Sequence, residues 1–318
     1  MSEIDGLSGS VSVLKGPDVV VRASAGIADA DSGAMCTPRT RFQVASLSKQ
    51  FTAAAAMLLV EDSVLALDVP IPEWWHDCPA QWRGLTLHDL LSHTSGLGHW
   101  QALPGLGLED LRDVGTFLDR FAAVALRSVP GEAWHYSSPG YLVVARIIEQ
   151  ATGRPYADFV TERILRPCGL EETSLGGTSP REAARGYRTG RRVDLVEFAA
   201  LPGAADVWST VGDLAAYTAA FNSGAVVTPA SREKMITLRT AITDKWGSLG
   251  PVVADSYGYG YCLGTVAGRA AFFHPGDNPG YLSFLACLPE LDVTVAILAN
   301  EEDVSVSDIL ESVLPEVM

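Results

Sequence analysis

Both ends of the chain carry apolar patterns that are typical of β-strands. The segment "GSVSVLKGPDVVVRASAG" (residues 9–26) alternates, turns at Gly16-Pro17 and alternates again, which predicts a β-hairpin. Towards the other end, "YGYGYCLGTVAG", "RAAFFHPG", "YLSFLACLPE" and "VTVAILAN" predict four further strands. A closing helix is predicted in "SVSDILESVLPEVM".

The middle of the chain shows mainly helical periodicity. A first helix is predicted from Ser46 to Glu61, and "STVGDLAAYTAAFNSG" predicts another that ends on Gly224 as a C-cap. Between them, helices are predicted in "LTLHDLLSH", "DVGTFLDRFAAVAL", "PGYLVVARIIEQATG" and "YADFVTERIL". We therefore predict an α+β fold with an antiparallel sheet built from both chain ends and flanked by helices. Residues 1–70 and 205–318 would form this α/β domain, and 71–204 a mostly helical inserted domain.

Charge and hydropathy narrow the range of partners. The 318 residues carry a net charge of -15, which disfavours binding to nucleic acids or anionic lipids. The longest apolar run, about residues 51–60, is too short to span a bilayer. The start "MSEIDGLSGS" lacks the basic and apolar regions of a secretory signal, so we expect a cytoplasmic protein.

Cysteine and histidine spacing gives no sign of a metal site or cofactor. The five cysteines are scattered without C-x-x-C spacing, which favours reduced, buried thiols. The histidines show no H-E-x-x-H spacing, so we expect no metal and no cofactor.

Three of the four lysines follow a serine by three residues, and context separates the pairs. Ser12 and Lys15 lie in an alternating strand, where residues three apart point to opposite faces. The pair Ser231/Lys234 opens a polar helix, with Ser231 as a plausible N-cap.

Ser46 and Lys49 begin a helix that is apolar on nearly every side and is therefore predicted to be buried. Three residues apart on a helix, they share a face and can hydrogen-bond. The helix N-terminus and burial would lower the pKa of Lys49 and make it a usable base. Ser48 is adjacent to Lys49, so its side chain diverges and it is the poorer nucleophile candidate. This stretch alone leaves open that Ser46 is only an N-cap.

Two later stretches supply candidate partners. Tyr136 and Ser138 stand before Pro139, which is well placed to open a helix, although Ser138 could simply cap that helix. His274-Pro275-Gly276 lies between two predicted strands, and its glycine would let a substrate approach the backbone. The segment Lys245-Trp246-Gly247 is a weaker rival because no strand precedes it.

With these stretches in order, the chain resembles the penicillin-binding and serine β-lactamase-like superfamily. It is most similar to the branch of class C β-lactamases, DD-peptidases and family VIII esterases. The motifs are "SLSK", "YSS" and "HPG", supported by "LTLHDLLSHTSGL", "VWSTVGDLAAY", "YGYGYCLG" and "HPGDNPGY". The resemblance runs from about Gly9 to Asn300.

The resemblance implies a serine hydrolase or acyltransferase with no cofactor. Lys49, helped by Tyr136, would deprotonate Ser46, whose Oγ attacks a carbonyl carbon. The backbone N–H groups of Ser46 and Asp277 would form the oxyanion hole. An acyl group would then remain on Ser46 until water, an amine or an alcohol accepts it, and transacylation in antibiotic biosynthesis is one form of this chemistry.

Two positions depart from the family pattern. Ser138 stands where the family more usually has Asn, and His274 stands where it has the lysine of Lys-Thr-Gly. Both changes argue against an efficient β-lactamase, since serine cannot offer the carbonyl and NH₂ of asparagine and a neutral histidine attracts a carboxylate less than lysine does. The expected cytoplasmic location favours a small ester or amide of metabolism as substrate. The alternatives are a weak β-lactamase or DD-peptidase, a non-catalytic binding or sensor protein, and, less favoured, an oligomeric scaffold. Oligomeric state is not predicted.

Residues near the motifs are candidates for the substrate pocket. His99 and Trp100 follow the His-Thr-Ser-Gly stretch and could cover the site, and Trp134 precedes the tyrosine loop. With Ser138 and Gly276, they form the predicted substrate-binding set. Each of the three pocket candidates could equally be an ordinary surface or core residue.

Overall fold

A large antiparallel sheet organises the fold. The computed structural model describes residues 4–100, 114–176, 179–180, 182–193, 201–243 and 250–318. Eight strands pair in the order β10-β11-β12-β13-β14-β15-β1-β2. Their bounds are β1 Gly9–Lys15, β2 Asp18–Ala25, β10 Thr240–Ala241, β11 Val252–Tyr257, β12 Cys262–Val266, β13 Arg269–Asn278, β14 Tyr281–Leu288 and β15 Val293–Ala299.

The two chain ends meet where β15 pairs with β1, one strand away from the β2 edge of the sheet. Strand β1 pairs antiparallel with β15, with Val11 opposite Ile297, and on its other side with β2. All neighbouring strands of the sheet run antiparallel. The predicted α+β fold with a sheet from both chain ends is confirmed.

Both faces of the sheet are buried at β15, which explains why this strand is almost continuously apolar. Val295 and Ile297 face a core layer that includes residues of the C-terminal helix. Ala296 and Leu298 face the opposite layer, which contains the long helices of the chain. Since successive strand residues point to opposite faces, one apolar strand serves two cores.

Helices cover the sheet and form most of the segment between its strands. They are α1 Ser48–Glu61, α2 Leu87–Leu91, α3 Val114–Ala122, α4 Ser138–Thr152, α5 Tyr156–Val160, α6 Val211–Ser223, α7 Pro229–Met235 and α8 Val306–Val313. Single 3₁₀ turns lie at Ala45–Leu47, Ile71–Glu73, Ala80–Trp82, Pro289–Leu291 and Leu314–Glu316, and a π-helical turn lies at Thr161–Leu165. The central helix α1 packs against α4 and α5, and α6 packs against β15 and β1.

Short strands connect the helical segment to the rest. They are β3 Ile27–Asp29, β4 Ala34–Met35, β5 Phe42–Gln43, β6 Ser174–Leu175, β7 Tyr187–Arg188, β8 Arg191–Arg192 and β9 Val207–Ser209. Strand β9 pairs with both β5 and β6. This small sheet joins the chain just before α1 to the chain just before α6, and it thereby fixes the approach to Ser46.

Three local predictions need correction. The helix predicted from Ser46 begins as a 3₁₀ turn, and its α-helical part starts at Ser48. Ser231 is not the N-cap of α7, because Thr228 holds that position and accepts the Ser231 N–H. Strand β11 was missed because most of "VVADSY" lacks a strong apolar alternation.

The division into domains at residues 70 and 205 stays a prediction, although all eight strands of the main sheet lie outside 71–204. The five cysteines are free thiols, and four of them are buried. Within the described residues, no helix combines the length and the apolar character needed to cross a bilayer.

Candidate active site

Ser46 lies in a tight turn between β5 and α1. The preceding Ala45 is fully buried and adopts φ of 49°, in the left-handed region that alanine rarely occupies. Such a conformation persists only where surrounding contacts hold it. Val44 supplies two of them, because its N–H donates to Val207 O at 3.0 Å and its carbonyl accepts from Ser283 Oγ at 2.8 Å.

The spacing of Ser46 and Lys49 brings their side chains together as predicted. Lys49 Nζ lies 3.1 Å from Ser46 Oγ, although Ser46 belongs to the 3₁₀ turn and Lys49 to α1. Ser48 points elsewhere, since its buried Oγ accepts the Val207 N–H at 3.1 Å. Of the two serines, Ser46 is therefore the one that Lys49 can deprotonate.

Lys49 is buried completely, which is unusual for lysine. Its ammonium group also donates to Ser138 Oγ at 3.2 Å and to the Ala204 carbonyl at 2.9 Å. Burial lowers the pKa of Lys49 to about 7, while electrostatic interaction with Asp206, and to a smaller extent with Cys262, acts in the opposite direction. A substantial fraction of Lys49 is thus neutral at neutral pH and can accept a proton.

Tyr136 completes the group around the serine hydroxyl. Its side chain hydrogen-bonds Ser46, and its ring centroid lies 5.0 Å from Lys49 Nζ. Burial raises the pKa of Tyr136 well above its ordinary value, and the Ser46 hydrogen bond offsets this only in part. The phenol therefore stays protonated at neutral pH, so it can pass a proton but is a poor first base.

His93 holds the tyrosine loop in place. Its backbone carbonyl accepts the His135 N–H at 2.8 Å, and its Nδ1 accepts the Ser137 N–H at 3.1 Å. Both bonds flank Tyr136, and the His93 and Tyr136 rings lie 4.6 Å apart. The stretch "HTSGL" contained this residue, but sequence reasoning gave it no role.

Ser138 does not cap helix α4. The N-cap is Ser137, whose Oγ accepts the Gly140 N–H at 3.0 Å. Ser138 is therefore available to contact Lys49, and its Oγ also lies 3.2 Å from His99 Nε2. Burial, followed by the charge of Lys49, lowers the pKa of His99 to about 3, so this histidine is neutral.

His274 lies behind the site instead of lining it. Its side chain is fully buried, with Nδ1 2.6 Å from the Pro275 carbonyl and Nε2 3.1 Å from the Tyr257 hydroxyl. Burial, reinforced by the charge of Lys49, lowers its pKa to about 3. The neutral ring contacts the site through Tyr136, at a centroid separation of 6.1 Å. A direct catalytic role for His274 stays a prediction that this geometry does not favour.

The contact of Gly276 with a substrate stays a prediction, but the structure gives another reason for a glycine at this position. A Cβ at this position would lie 2.6 Å from Val44 O and would also collide with Ser283 Oγ. Gly276 therefore makes room for the turn that carries Ser46 and for the hydrogen bond that holds it. Close packing against protein atoms is enough to require glycine here.

A cavity of about 340 Å³ opens at Ser46. Five predicted site residues line it: Ser46, His99, Trp100, Ser138 and Asp277. Asn278, which was not predicted, lines it as well. Arg188 and Glu302 lie at the same cavity and form a two-point ion pair, with N–O distances of 2.6 and 2.9 Å. These two were not predicted, because the chain brings them together from positions 114 residues apart.

Trp134 does not belong to the pocket, contrary to prediction. Only 1% of it is exposed, and it packs in a core layer where its ring lies 6.1 Å from His93 and 6.2 Å from Tyr136. Its contribution is to support the tyrosine loop from behind. Lys245-Trp246-Gly247, the rival to the His274 stretch, falls outside the described residues. Across the described part of the chain, no group of three or more His, Cys, Asp or Glu side chains could hold a metal ion.

Comparison with known proteins identifies the family. A sequence model described as Beta-lactamase matches residues 2–312, so the chain belongs to the beta-lactamase family. The penicillin-binding protein of Bacillus halodurans has the same fold, with a TM-score of 0.85 at 24% identity over 97% of this chain and 96% of that one.

Two curated relatives are similar in sequence. Esterase EstB of Burkholderia gladioli is 32% identical over 202 residues, which cover 58% of this chain and 51% of EstB. Penicillin-binding protein 4* of Bacillus subtilis (strain 168) is 27% identical over 324 residues, which cover 93% of this chain and 68% of that protein. The chain thus spans about half of the first relative and two thirds of the second. These similarities support a serine hydrolase of the beta-lactamase-like family.

Replacing Gly276 by alanine should disturb the turn that carries Ser46. Because the added Cβ would meet the Val44 carbonyl and Ser283, we expect a loss of about 1–3 kcal/mol in the free energy of unfolding. Urea unfolding measures it. Gly212→Ala in α6 is the control, since its Cβ would meet nothing closer than 3.7 Å. Equal stability of the two variants would contradict this account of Gly276.

Proposed function

We propose that this protein cleaves an ester or amide of a small metabolite through an acyl-enzyme on Ser46. One observation carries the proposal: a partly exposed serine hydroxyl contacts both a buried lysine and a protonated tyrosine at the mouth of a cavity. A nucleophile, a base and a proton carrier within hydrogen-bond reach are the parts that acyl transfer requires.

The proposed acylation begins with neutral Lys49. Its Nζ takes the proton of Ser46 Oγ while Oγ forms a bond to the carbonyl carbon of the substrate. The negative charge on the carbonyl oxygen is stabilised by the backbone N–H groups of Ser46 and Asp277, which both line the cavity. As the tetrahedral intermediate collapses, the leaving group takes a proton from the Tyr136 phenol, which regains one from the Lys49 ammonium.

Deacylation reverses the proton path. Water, an amine or an alcohol attacks the acyl carbon and gives up its proton to neutral Lys49, directly or through Tyr136. Ser46 Oγ leaves as the acyl bond breaks and recovers a proton. The same groups therefore serve both half-reactions.

His274 takes the place of the lysine of Lys-Thr-Gly and lies behind the cavity, which disfavours a β-lactam or a peptidoglycan peptide as substrate. His274 carries no positive charge with which to attract a carboxylate, since burial keeps it neutral. The similarity to an esterase agrees with an ester substrate. A weak β-lactamase or DD-peptidase activity, and a binding protein without turnover, are the alternatives.

Ser46→Ala should abolish covalent labelling, whereas Ser48→Ala should not. We expect a fluorophosphonate to add to Ser46 in the wild-type protein, and intact-mass spectrometry detects the adduct. Ser48→Ala is the matched control because Ser48 only accepts the Val207 N–H, and its loss should cost about 1–3 kcal/mol of stability with labelling retained. An adduct that survives Ser46→Ala would refute the proposal.

The rate should rise with pH through about 7. Only neutral Lys49 accepts the serine proton, so kcat/KM for a p-nitrophenyl ester should fall about tenfold for each pH unit below the Lys49 pKa. Tyr136→Phe should lower the rate but keep the position of this acidic limb. Lys49→Arg should lose activity at every pH, since arginine stays protonated. A profile that is flat from pH 5 to 8 would exclude Lys49 as the base.

The acyl acceptor can be identified by a panel of esters assayed with and without added amines or alcohols. For a hydrolase, the acid product accumulates at the same rate with or without the added acceptor. For an acyltransferase, the acceptor increases the rate of ester consumption or diverts the acyl group into a new amide or ester, detected by mass spectrometry. Absence of turnover for every ester, combined with ligand-induced thermal stabilisation, would favour the binding-protein alternative.

A further inference from the structure

Asp206 is a buried carboxyl group that the proposed mechanism does not use. Only 4% of it is exposed, and it lies immediately before β9. A buried carboxylate is costly unless hydrogen bonds or an opposite charge compensate it. Its surroundings therefore indicate what it does.

The turn from Gly203 to Asp206 forms one wall around Lys49. Asp206 Oδ1 accepts the Gly203 N–H at 2.9 Å, which closes the turn. Within it, the Gly203 carbonyl accepts from Thr52 Oγ1 at 2.7 Å, and the Ala204 carbonyl accepts from Lys49 Nζ at 2.9 Å. The Asp206 side chain thus shapes the backbone that contacts the lysine.

The backbone of this turn is tightly packed against α1 and α4. Gly203 has φ of 79°, and a Cβ there would lie 2.9 Å from the Cβ of Ala145 and 3.1 Å from Thr52 Oγ1. The turn cannot move away from the helices without losing these contacts, so the Asp206 carboxyl is held at a fixed place beside Lys49.

Charge distinguishes Asp206 from the other groups near Lys49. Among the described residues, the other titratable neighbours of Lys49 are the Cys262 thiol, whose pKa burial raises well above its ordinary value, and the neutral rings of tyrosines and histidines. The titratable groups that interact with Lys49 are Tyr136, Tyr141, His93, His99, His274, Cys262 and Asp206. Asp206 in turn acts on Tyr156 as well as on Lys49.

We propose that Asp206 is a positioning residue whose carboxylate is the buried counter-charge for the Lys49 ammonium formed when Ser46 loses its proton. When Asp206 is ionised and Lys49 is neutral, the two groups together carry a net charge of -1. Proton transfer from Ser46 to Lys49 brings the pair to zero, which a low-dielectric interior favours. The turn that Asp206 closes also aims the Ala204 carbonyl at the same ammonium group.

The Asp206→Asn variant removes the negative charge of this side chain and keeps its shape. Asparagine Oδ1 can accept the Gly203 N–H and keep the turn closed, but it carries no charge. Removing a nearby negative charge lowers the pKa of a lysine, by about one unit or more for a close buried pair. A purely structural aspartate would leave the Lys49 titration unchanged.

Lysine NMR measures the effect directly, without any assumption about the reaction. The chain has only four lysines, Lys15, Lys49, Lys234 and Lys245, so protein labelled with [ε-¹³C]lysine gives few signals. Lys49 is assigned as the signal missing in Lys49→Arg. We expect its titration midpoint to fall by about one pH unit or more in Asp206→Asn. An unchanged or higher midpoint would overturn the proposal.

Asp213→Asn is the matched control. Asp213 is a partly buried carboxylate in α6 that accepts from Thr173 Oγ1 at 2.7 Å and from the Glu172 N–H at 2.9 Å. It does not act on Lys49, so this variant should leave the Lys49 midpoint in place. A shift as large as that of Asp206→Asn would show a general effect of net charge and overturn the proposal.

If the Asp206→Asn variant does not fold, the titration of Asp206 in the wild-type protein tests the proposal. Burial raises the pKa of Asp206 to about 7, where Lys49 also titrates. The ¹³Cγ signal of Asp206, assigned by triple-resonance experiments, should therefore change over the same pH range as Lys49, as in a coupled pair. An Asp206 signal that does not respond while Lys49 titrates, or that shows a protonated carboxyl throughout the Lys49 titration, would overturn the proposal.

The activity test rests on the proposed function and is independent of the NMR result. In Asp206→Asn, the acidic limb of the kcat/KM profile should move to lower pH by the shift seen in NMR, with a plateau lowered about tenfold or more. An unchanged plateau would contradict the counter-charge role. A wild-type protein that turns over no ester would instead refute the proposed function, with the NMR comparison still valid.

Discussion

The complete burial of Lys49 is the constraint on which the arrangement of the site depends. Water cannot solvate this amine, so its hydrogen-bonding capacity is met by Ser46, Ser138 and the Ala204 carbonyl. Burial also brings its pKa to about 7, where a lysine can serve as a base. Burial of Lys49 therefore requires that these three partners, which lie on different segments, are placed within hydrogen-bond distance. The same placement aligns the Lys49 amine with the Ser46 hydroxyl.

Burial, reinforced by Lys49, keeps the histidines around the site neutral. His99 and His274 would share a small buried volume with a cation if they were protonated, and burial together with Lys49 keeps both neutral. Neutral rings can accept and donate hydrogen bonds, so these side chains act as rigid structural parts: His99 contacts Ser138, and His274 links Tyr257 to the Pro275 carbonyl. The site can therefore contain several imidazoles while the amine of Lys49 is the proposed base.

Local features of the site were predictable from sequence, and features that depend on distant packing were not. The contact between Ser46 and Lys49 follows from spacing along one turn, and the β1–β2 hairpin follows from alternation around Gly16-Pro17. Trp134 was misplaced because its position relative to the pocket depends on tertiary packing against His93. Asp206 escaped notice because a single aspartate in a loop usually faces solvent, and nothing local indicates that α1 and α4 bury it.

The hydrogen bond from Ser283 Oγ to the Val44 carbonyl bears on when the turn around Ser46 can form during synthesis and folding. The turn that carries Ser46 lies in the first sixth of the chain, but the Ser283 hydroxyl that holds it lies 239 residues after Val44. A growing chain emerges from its N-terminus, and contacts between distant segments form late because closing long loops costs entropy. Ser46 is therefore synthesised well before the strand β14 that supplies this hydrogen bond, so we expect the turn around Ser46 to take its final form late in folding.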